Sequence, residues 1–370
     1  MLVHDLFIEN YRSFESYRLN AMTRVNLLVG KNNCGKTSVL EALELLQSGC
    51  DTTTLLNAAQ RRGELHISED DDSQMSRTCP EIFHMFRDRR VRVGTRFRIE
   101  GNSQNYVAAE IFDPMNPDEL RALTYREFRD VPSEFALELS AASEAIETRK
   151  TRVLPLTAQG FVPIGIVGNS RLGRDPRGSF NGTTFVTANS LDIRSMAAMW
   201  DQVTADSREN EVELALQLLE PNLRDIRFKA SDQAYRAGSG GILLGIGNDT
   251  RRQPLGSYGE GMRRMLGLAI ALVCSSNGIL LIDEIDTGLH YSVLGQMWEF
   301  LAETARKFNV QVVATTHSLD CIRAMTTACD FNELLREDIA LFTIDRRMDE
   351  AVKFGGAELP IVSEHEIEVR

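Results

Sequence analysis

Eight residues constrain the fold of this chain more than any others. Gly30-Lys31-Asn32-Asn33-Cys34-Gly35-Lys36-Thr37 fits G-x-x-x-x-G-K-[ST] at every fixed position. The stretch follows Val25–Val29, an apolar run suited to a buried strand. After Gly35 the period changes, and Val39, Leu40, Leu43 and Leu46 recur at helical spacing. A helix is therefore expected to open near Lys36. In a strand–glycine loop–helix unit, backbone N–H groups turn inward around phosphate oxygens, and the helix N-terminus adds partial positive charge. Lys36 is then expected to reach the outer phosphates and the Thr37 hydroxyl to bind magnesium.

Two later strands end in chemistry. Gly278-Ile279-Leu280-Leu281-Ile282-Asp283-Glu284 is an apolar run closed by two carboxylates. In a parallel sheet the strand C-termini face the ligand crevice. Asp283 is expected to hold magnesium and Glu284 to polarise an attacking water. Val312-Val313-Ala314-Thr315-Thr316-His317 is a second such strand, and His317 is placed to sense a terminal phosphate. A second anion loop, Leu255 to Gly261, offers the Ser257 hydroxyl, free backbone N–H groups and the start of a helix. If both loops serve one nucleotide, the economical geometry is a head-to-tail pair of chains.

Elsewhere Leu2–Ile8 alternates as a strand does, and Tyr11–Phe14 turns the chain. Glu69–Asp72 reads as a solvated acidic loop. Arg87–Arg98 carries six arginines, and Val91, Val93, Phe97 and Ile99 suggest a strand with a basic face, either solvated or meeting an acidic partner. Residues 133–150 read as a polar helix and 165–190 as loops. Helices are expected over 192–203, 211–219, 261–273 and 291–308, strands over 243–246 and 310–314, and a hairpin over 339–354. Strands alternating with helices indicate an α/β fold with a largely parallel sheet.

The net charge of −12, from 41 basic and 53 acidic residues, argues against coating nucleic acid by bulk charge. No apolar run reaches membrane-spanning length and the N-terminus has no signal-peptide pattern, so a cytoplasmic protein without a membrane partner is expected. Six scattered cysteines, none in C-x-x-C, are expected to be free thiols.

At these residues the chain resembles the ABC-type ATPases of the SMC/RecF/OLD group. The resemblance is carried by Asn10-Tyr11-Arg12-Ser13-Phe14, by Gly30 to Thr37, by Gly256 to Gly261, and by Asp283 to His290 with His317. It is more closely similar to small prokaryotic AAA family ATPases, sometimes labelled ATP/GTP phosphatases, through Asp283 to His290, Thr315-Thr316-His317-Ser318 and the end Ile367 to Arg370. It covers residues 1–50 and 195–370; no motif anchors 50–195.

The resemblance implies a P-loop NTPase with an ABC-type head and a mixed sheet. Residues 1–50 and 250–370 would form the core, and 51–249 an insertion, part β and part helical. The implied cofactors are ATP and Mg2+. The implied nucleotide-binding set is Arg12, Ser13, Gly30, Asn32, Asn33, Cys34, Gly35, Lys36, Thr37 and Ser38. Ser257, Gly259 and Gly261 would reach the terminal phosphate of a partner's nucleotide, with Asp286 where the two sites communicate. Glu284 and His317 would be catalytic, Thr37 and Asp283 would hold the metal.

Two departures stand out. The loop reads Gly-Glu-Gly-Met rather than Gly-Gly-Gln, and the glutamine that completes metal coordination has only Gln104 and Gln159 as candidates. The expected activity is ATP-driven homodimerisation acting as a switch for a DNA-associated, repair or anti-phage partner, with DNA itself a further candidate. Any nuclease-like effector is expected to be a separate chain. A free-nucleotide phosphatase is the alternative, and the ATP-binding subunit of a transporter a more distant one. No N-K-x-D sequence is present to read guanine.

Overall fold

The computed structural model describes residues 2–68, 77–102, 105–114, 133–143, 146–162, 182–229 and 241–359. The acidic run at 69–72, Gln104 and the end at 367–370 lie outside the described residues, as do 163–181 of the stretch read as loops.

Two six-stranded sheets organise the chain. The first runs β10 (Thr183–Val186), β14 (Ile279–Ile282), β15 (Gln311–Thr315), β3 (Val25–Val29) and β16 (Ile339–Thr343), all parallel, and ends with antiparallel β17 (Val352–Gly355). The second is antiparallel throughout: β2 (Ser16–Leu19), β1 (Leu6–Glu9), β6 (Arg96–Glu100), β7 (Tyr106–Phe112), β8 (Phe135–Ser143) and β9 (Ile146–Leu156). Two small sheets complete the strands of the described residues, β4 (Leu65–Ser68) with β5 (Arg77–Pro80), and β11 (Leu223–Phe228), β12 (Ile242–Ile246) and β13 (Gln253–Pro254).

The parallel sheet is apolar on both faces, as strands covered on both sides must be. In β14, Leu280 and Ile282 face one core while Ile279 and Leu281 face the other; β16 splits Ile339 and Leu341 from Ala340 and Phe342 in the same way. The side chains alternate because successive Cβ atoms leave a strand on opposite faces. Between the two sheets lies α1 (Lys36–Ser48), which buries Val39, Leu40, Leu43 and Leu45 in the core it shares with β1, β6, β7 and β8. Each such side chain contributes about 1.5–3 kcal/mol on burial.

Next to α1 runs α2 (Thr52–Arg61). On the far face of the parallel sheet pack α3 (Ile193–Ala205), α4 (Glu209–Gln217), α5 (Gly259–Cys274), α6 (Leu294–Lys307) and α7 (Leu319–Phe331), followed by the short α8 (Glu333–Asp338). The helices read from periodicity are found to within a few residues of their expected ends; Tyr291–Val293 is a 3-10 turn leading into α6. The hairpin expected over 339–354 is β16–β17.

Three expectations need correction. Residues 133–150 are not a helix. Their Leu, Ala and Glu favour helix locally, but Leu137, Leu139 and Ala141 bury on one face with a period of two, and pairing with β7 and β9 decides the outcome. Within 165–190, Thr183–Val186 is a strand, held by four parallel pairings with β14. Finally, Arg87–Arg98 is a strand only from Arg96 onward. Arg89 at φ 49° and Gly94 at φ 82° turn the preceding chain, and Val93 is exposed.

β10 lies within 51–249 yet belongs to the parallel sheet, and β1 and β2, from the first 50 residues, belong to the antiparallel one.

Candidate nucleotide site

The C-terminal ends of β3, β14 and β15 meet the start of α1. Gly35 caps that helix at φ 110°, with no side-chain cap and no acidic residue in the first turn. The first N–H groups of α1 therefore keep their anion-binding capacity. Only glycine fits the two fixed loop positions. A Cβ on Gly30 would stand 2.5 Å from the Ile344 carbonyl oxygen, and one on Gly35 would stand 2.4 Å from the Phe14 ring, both at positive φ.

Lys36 is buried, and its Nζ donates to the Gly30 carbonyl at 2.8 Å and the Lys31 carbonyl at 3.0 Å. Burial pushes its pKa below the ordinary lysine value, with Cys34 and the carboxylates of Asp283 and Glu284 pulling it back up. The Thr37 hydroxyl lies 3.2 Å and 3.3 Å from the two Asp283 carboxylate oxygens. Thr315 Oγ1 donates to Asp283 at 2.7 Å and accepts from the Glu284 backbone N–H at 2.9 Å. Glu284 adopts φ 50°, in the left-handed region that few side chains enter without constraint, and its carboxylate accepts from the Thr287 hydroxyl. Thr316 Oγ1 donates to Asp286 at 2.5 Å.

One cleft gathers Arg12, Ser13, Asn33, Cys34, Gly35, Lys36, Thr37, Ser38, Asp283, Glu284 and His317. The sequence motifs, separated by nearly the whole chain, thus converge. Burial first, then the charge of Lys36, lowers the His317 pKa below its ordinary value, so the imidazole is neutral at neutral pH.

Other expected residues lie elsewhere. Asn32 lies outside the main cleft, lining hollows beside it with Lys31, Asp345 and Arg347 and with Gly30, Thr316 and His317. Ser257 and Gly259 are exposed and outside the cleft, on a 3-10 turn (Leu255–Tyr258) and at the start of α5. Gly261 packs against Gly288, close to Asp286: a Cβ on Gly261 would meet the Gly288 carbonyl oxygen at 3.0 Å. Gln159 sits exposed in the turn after β9, outside the cleft.

Arg12 lines the cleft but is buried, and its guanidinium is paired with Glu41 at 3.0 Å and with Glu64. Arg62 joins this network, 2.7 Å from Glu41 and 3.2 Å from Ser38. Arg62, Glu64, His84 and Arg89 complete the wall. None of these four belongs to a motif. They reach the cleft through the end of α2, the approach to β4 and the segment before β6; only Arg89 belongs to a stretch the sequence marks, the basic run Arg87–Arg98. Thr315, from the Val312–His317 strand, and Arg264, which no motif marks, hold the two carboxylate-bearing residues.

The donor set suits a small hard cation. Thr37 and Asp283 offer oxygen only, and no cluster of three or more His, Cys, Asp or Glu side chains forms a protein-made metal cage among the described residues. That fits Mg2+, which keeps waters and shares phosphate oxygens. Held there, the ion would neutralise phosphate charge.

The residues of the cleft fall within stretches that match known families. Residues 1–124 match the family described as "AAA ATPase domain", and residues 169–320 match "AAA domain, putative AbiEii toxin, Type IV TA system". The first match contains the Lys36 loop; the second contains the Ser257 loop, Asp283, Glu284 and His317. An ATP/GTP phosphatase of Helicobacter pylori is 19% identical over 355 residues, covering 88% of this chain and 87% of that protein. The DNA replication and repair protein RecF of Bifidobacterium longum subsp. infantis is 29% identical over 112 residues, 29% of this chain and 26% of that protein. The chain carries stretches that match two ATPase-domain families and is similar to ATPases of the SMC/RecF type. It is an ATP-hydrolysing P-loop enzyme. Among solved structures, an SMC head domain from Thermotoga maritima covers 96% of this chain and 99% of its own at 15% identity and a TM-score of 0.40. An SMC head bound to the C-terminal winged-helix domain of ScpA covers 96% and 98% at 10% identity and a TM-score of 0.48. No helix among the described residues is long and apolar enough to cross a membrane.

Proposed function

We propose that ATP binding closes two copies of this chain head to tail, and that hydrolysis at Glu284 reopens them. The observation that carries this reading is the position of the Ser257 loop. It is exposed at the start of a helix, as an anion-binding loop should be, yet it does not line the cleft of its own chain. In a head-to-tail pair it would instead seal the partner's nucleotide, with Gly259 and Gly261 beside it and Asp286 behind the contact.

In this reading Lys36 and the N–H groups of α1 hold the phosphates, while Thr37 and Asp283 hold Mg2+. Glu284 orients and deprotonates the attacking water, and His317 donates a ring N–H toward the terminal phosphate. The output would be a change in binding of DNA or of a separately encoded, nuclease-like partner, in repair or anti-phage defence. The RecF relatives and the toxin-system family description support that direction. The test is to size Glu284→Gln with and without ATP: an ATP-dependent dimer is expected, and a protein that stays monomeric at saturating ATP would contradict the reading.

A second reading, a phosphatase acting on free ATP or GTP, is favoured by the name of the relative that spans most of the chain. It predicts full turnover at protein concentrations too low for dimers. The switch predicts that the hydrolysis rate rises with the square of protein concentration in that range, so turnover per chain falls on dilution.

A further inference from the structure

One buried charge remains unaccounted for. Arg264, on α5, is 1% exposed and forms no ion pair among the described residues. Its guanidinium is spent on backbone carbonyls instead. Nη2 donates to Asp283 at 3.0 Å and Glu284 at 2.8 Å, and Nη1 donates to Thr187 at 2.6 Å and Ala188 at 3.5 Å. Nε has no partner. Asp283, Glu284 and Asp286 stand near enough to offset part of the burial that lowers its pKa.

A buried charge without an ion pair is costly, and an apolar side chain would fill the same space at less expense. What an apolar side chain lacks is the planar fork of donors, which fixes several acceptors at once. Those acceptors are telling. Two belong to the carboxylate-bearing residues at the end of β14, and one of these, Glu284, sits at φ 50°. The other two belong to the turn leaving β10. Arg264 itself lies less than two turns from Gly259, where α5 opens beside the exposed Ser257 loop.

We propose that Arg264 is a positioning residue that holds the Glu284 backbone in its left-handed conformation and ties it to the helix carrying the Ser257 loop. Engagement of that loop by a partner's phosphate then bears on the same chain's catalytic carboxylate through one side chain. The inference rests on the assignment of Glu284 as the water-activating residue.

The experiment uses the full chain with Arg264→Lys and Arg264→Met. Lys keeps the charge and stem but loses the fork. Measured are kcat and KM for ATP, affinity for a fluorescent ATP analogue, and hydrogen exchange at residues 285–289. In Arg264→Lys, kcat is expected to fall roughly 10- to 100-fold, the cost of slight misplacement of a catalytic group. Analogue affinity is expected to stay within about threefold, because uniform binding is untouched. Exchange should quicken at 285–289 and stay unchanged in β3. Arg264→Met should show the same split more strongly; if it does not fold, Arg264→Lys decides alone.

Unchanged kcat in Arg264→Lys would overturn the proposal. So would joint loss of affinity and turnover with faster exchange throughout, which marks a merely structural role. Glu284→Gln keeps the two failures apart. If it turns over ATP like the parent, the assignment of Glu284 fails. If it is inactive while Arg264→Lys is fully active, only the role of Arg264 fails.

Discussion

Thr315 Oγ1 donates to the Asp283 carboxylate at 2.7 Å, across two neighbouring parallel strands. The same oxygen accepts from the Glu284 N–H, so one hydroxyl fixes both the carboxylate proposed to hold the metal and the start of the turn that carries Glu284. Thr315→Val keeps the shape and removes both bonds. It is expected to cost about 1–3 kcal/mol of stability, since a buried N–H loses its acceptor. It should also lower kcat more than it raises KM. Thr315→Ser should restore both. Urea unfolding and steady-state kinetics check this.

Lys36→Ala should remove nucleotide binding outright. The ammonium is a full charge that the loop N–H groups cannot replace. The variant should remain folded, because among the described residues the Lys36 ammonium donates to loop carbonyls and Cys34 rather than to a structural ion pair. Titration with a fluorescent nucleotide, alongside circular dichroism, separates the two outcomes.

Gly35→Ala is expected to be worse than an ordinary surface change. It combines a φ of 110° with a Cβ placed 2.4 Å from the Phe14 ring. Strain of roughly 1–3 kcal/mol is expected from the backbone alone, and the displaced loop should bind ATP more weakly. Thermal unfolding with and without ATP would show a lower midpoint and a smaller ligand-induced rise.

His317 gives a pH signature. Its folded pKa lies below the ordinary 6.5 through burial and Lys36. The native state therefore binds fewer protons than the unfolded chain. The stability this contributes is present above 6.5 and is lost as pH falls toward the lower folded value. Nucleotide phosphates add negative charge beside the ring and should raise its pKa. NMR titration of the His317 ring, free and with ADP, is expected to show the midpoint first below 6.5 and then moving upward. A midpoint unmoved by ADP would place the ring away from the phosphates.

Legibility in the sequence followed locality. The Lys36 loop, the Asp283–Glu284 pair and the helices behind the parallel sheet are readable because each is decided by a few adjacent residues or one periodicity. The strands β8 and β10 are not. The Ala, Leu and Glu of β8 favour helix locally, and β10, although its Thr, Phe and Val favour strand, is only four residues long beside a loop-like stretch; pairing with distant strands decides both. The cleft divides in the same way. Motif residues were visible, whereas Arg62, Glu64, His84 and Arg89 come from the end of α2, the approach to β4 and the segment before β6, which only tertiary packing brings to the cleft. Arg264 was written beside the Ser257 loop, but only burial reveals that it turns inward rather than to solvent.

The placement of α1 between two sheets has a consequence for the energetics of capture. A helix wedged on both sides has little room to tilt or fray at its first turn, so the arc of N–H groups at Gly35 is already shaped when ATP arrives. Little ordering entropy is then lost on association. Calorimetry should accordingly find a small heat-capacity change for the first nucleotide on an isolated chain, with the larger negative change appearing only when two chains come together.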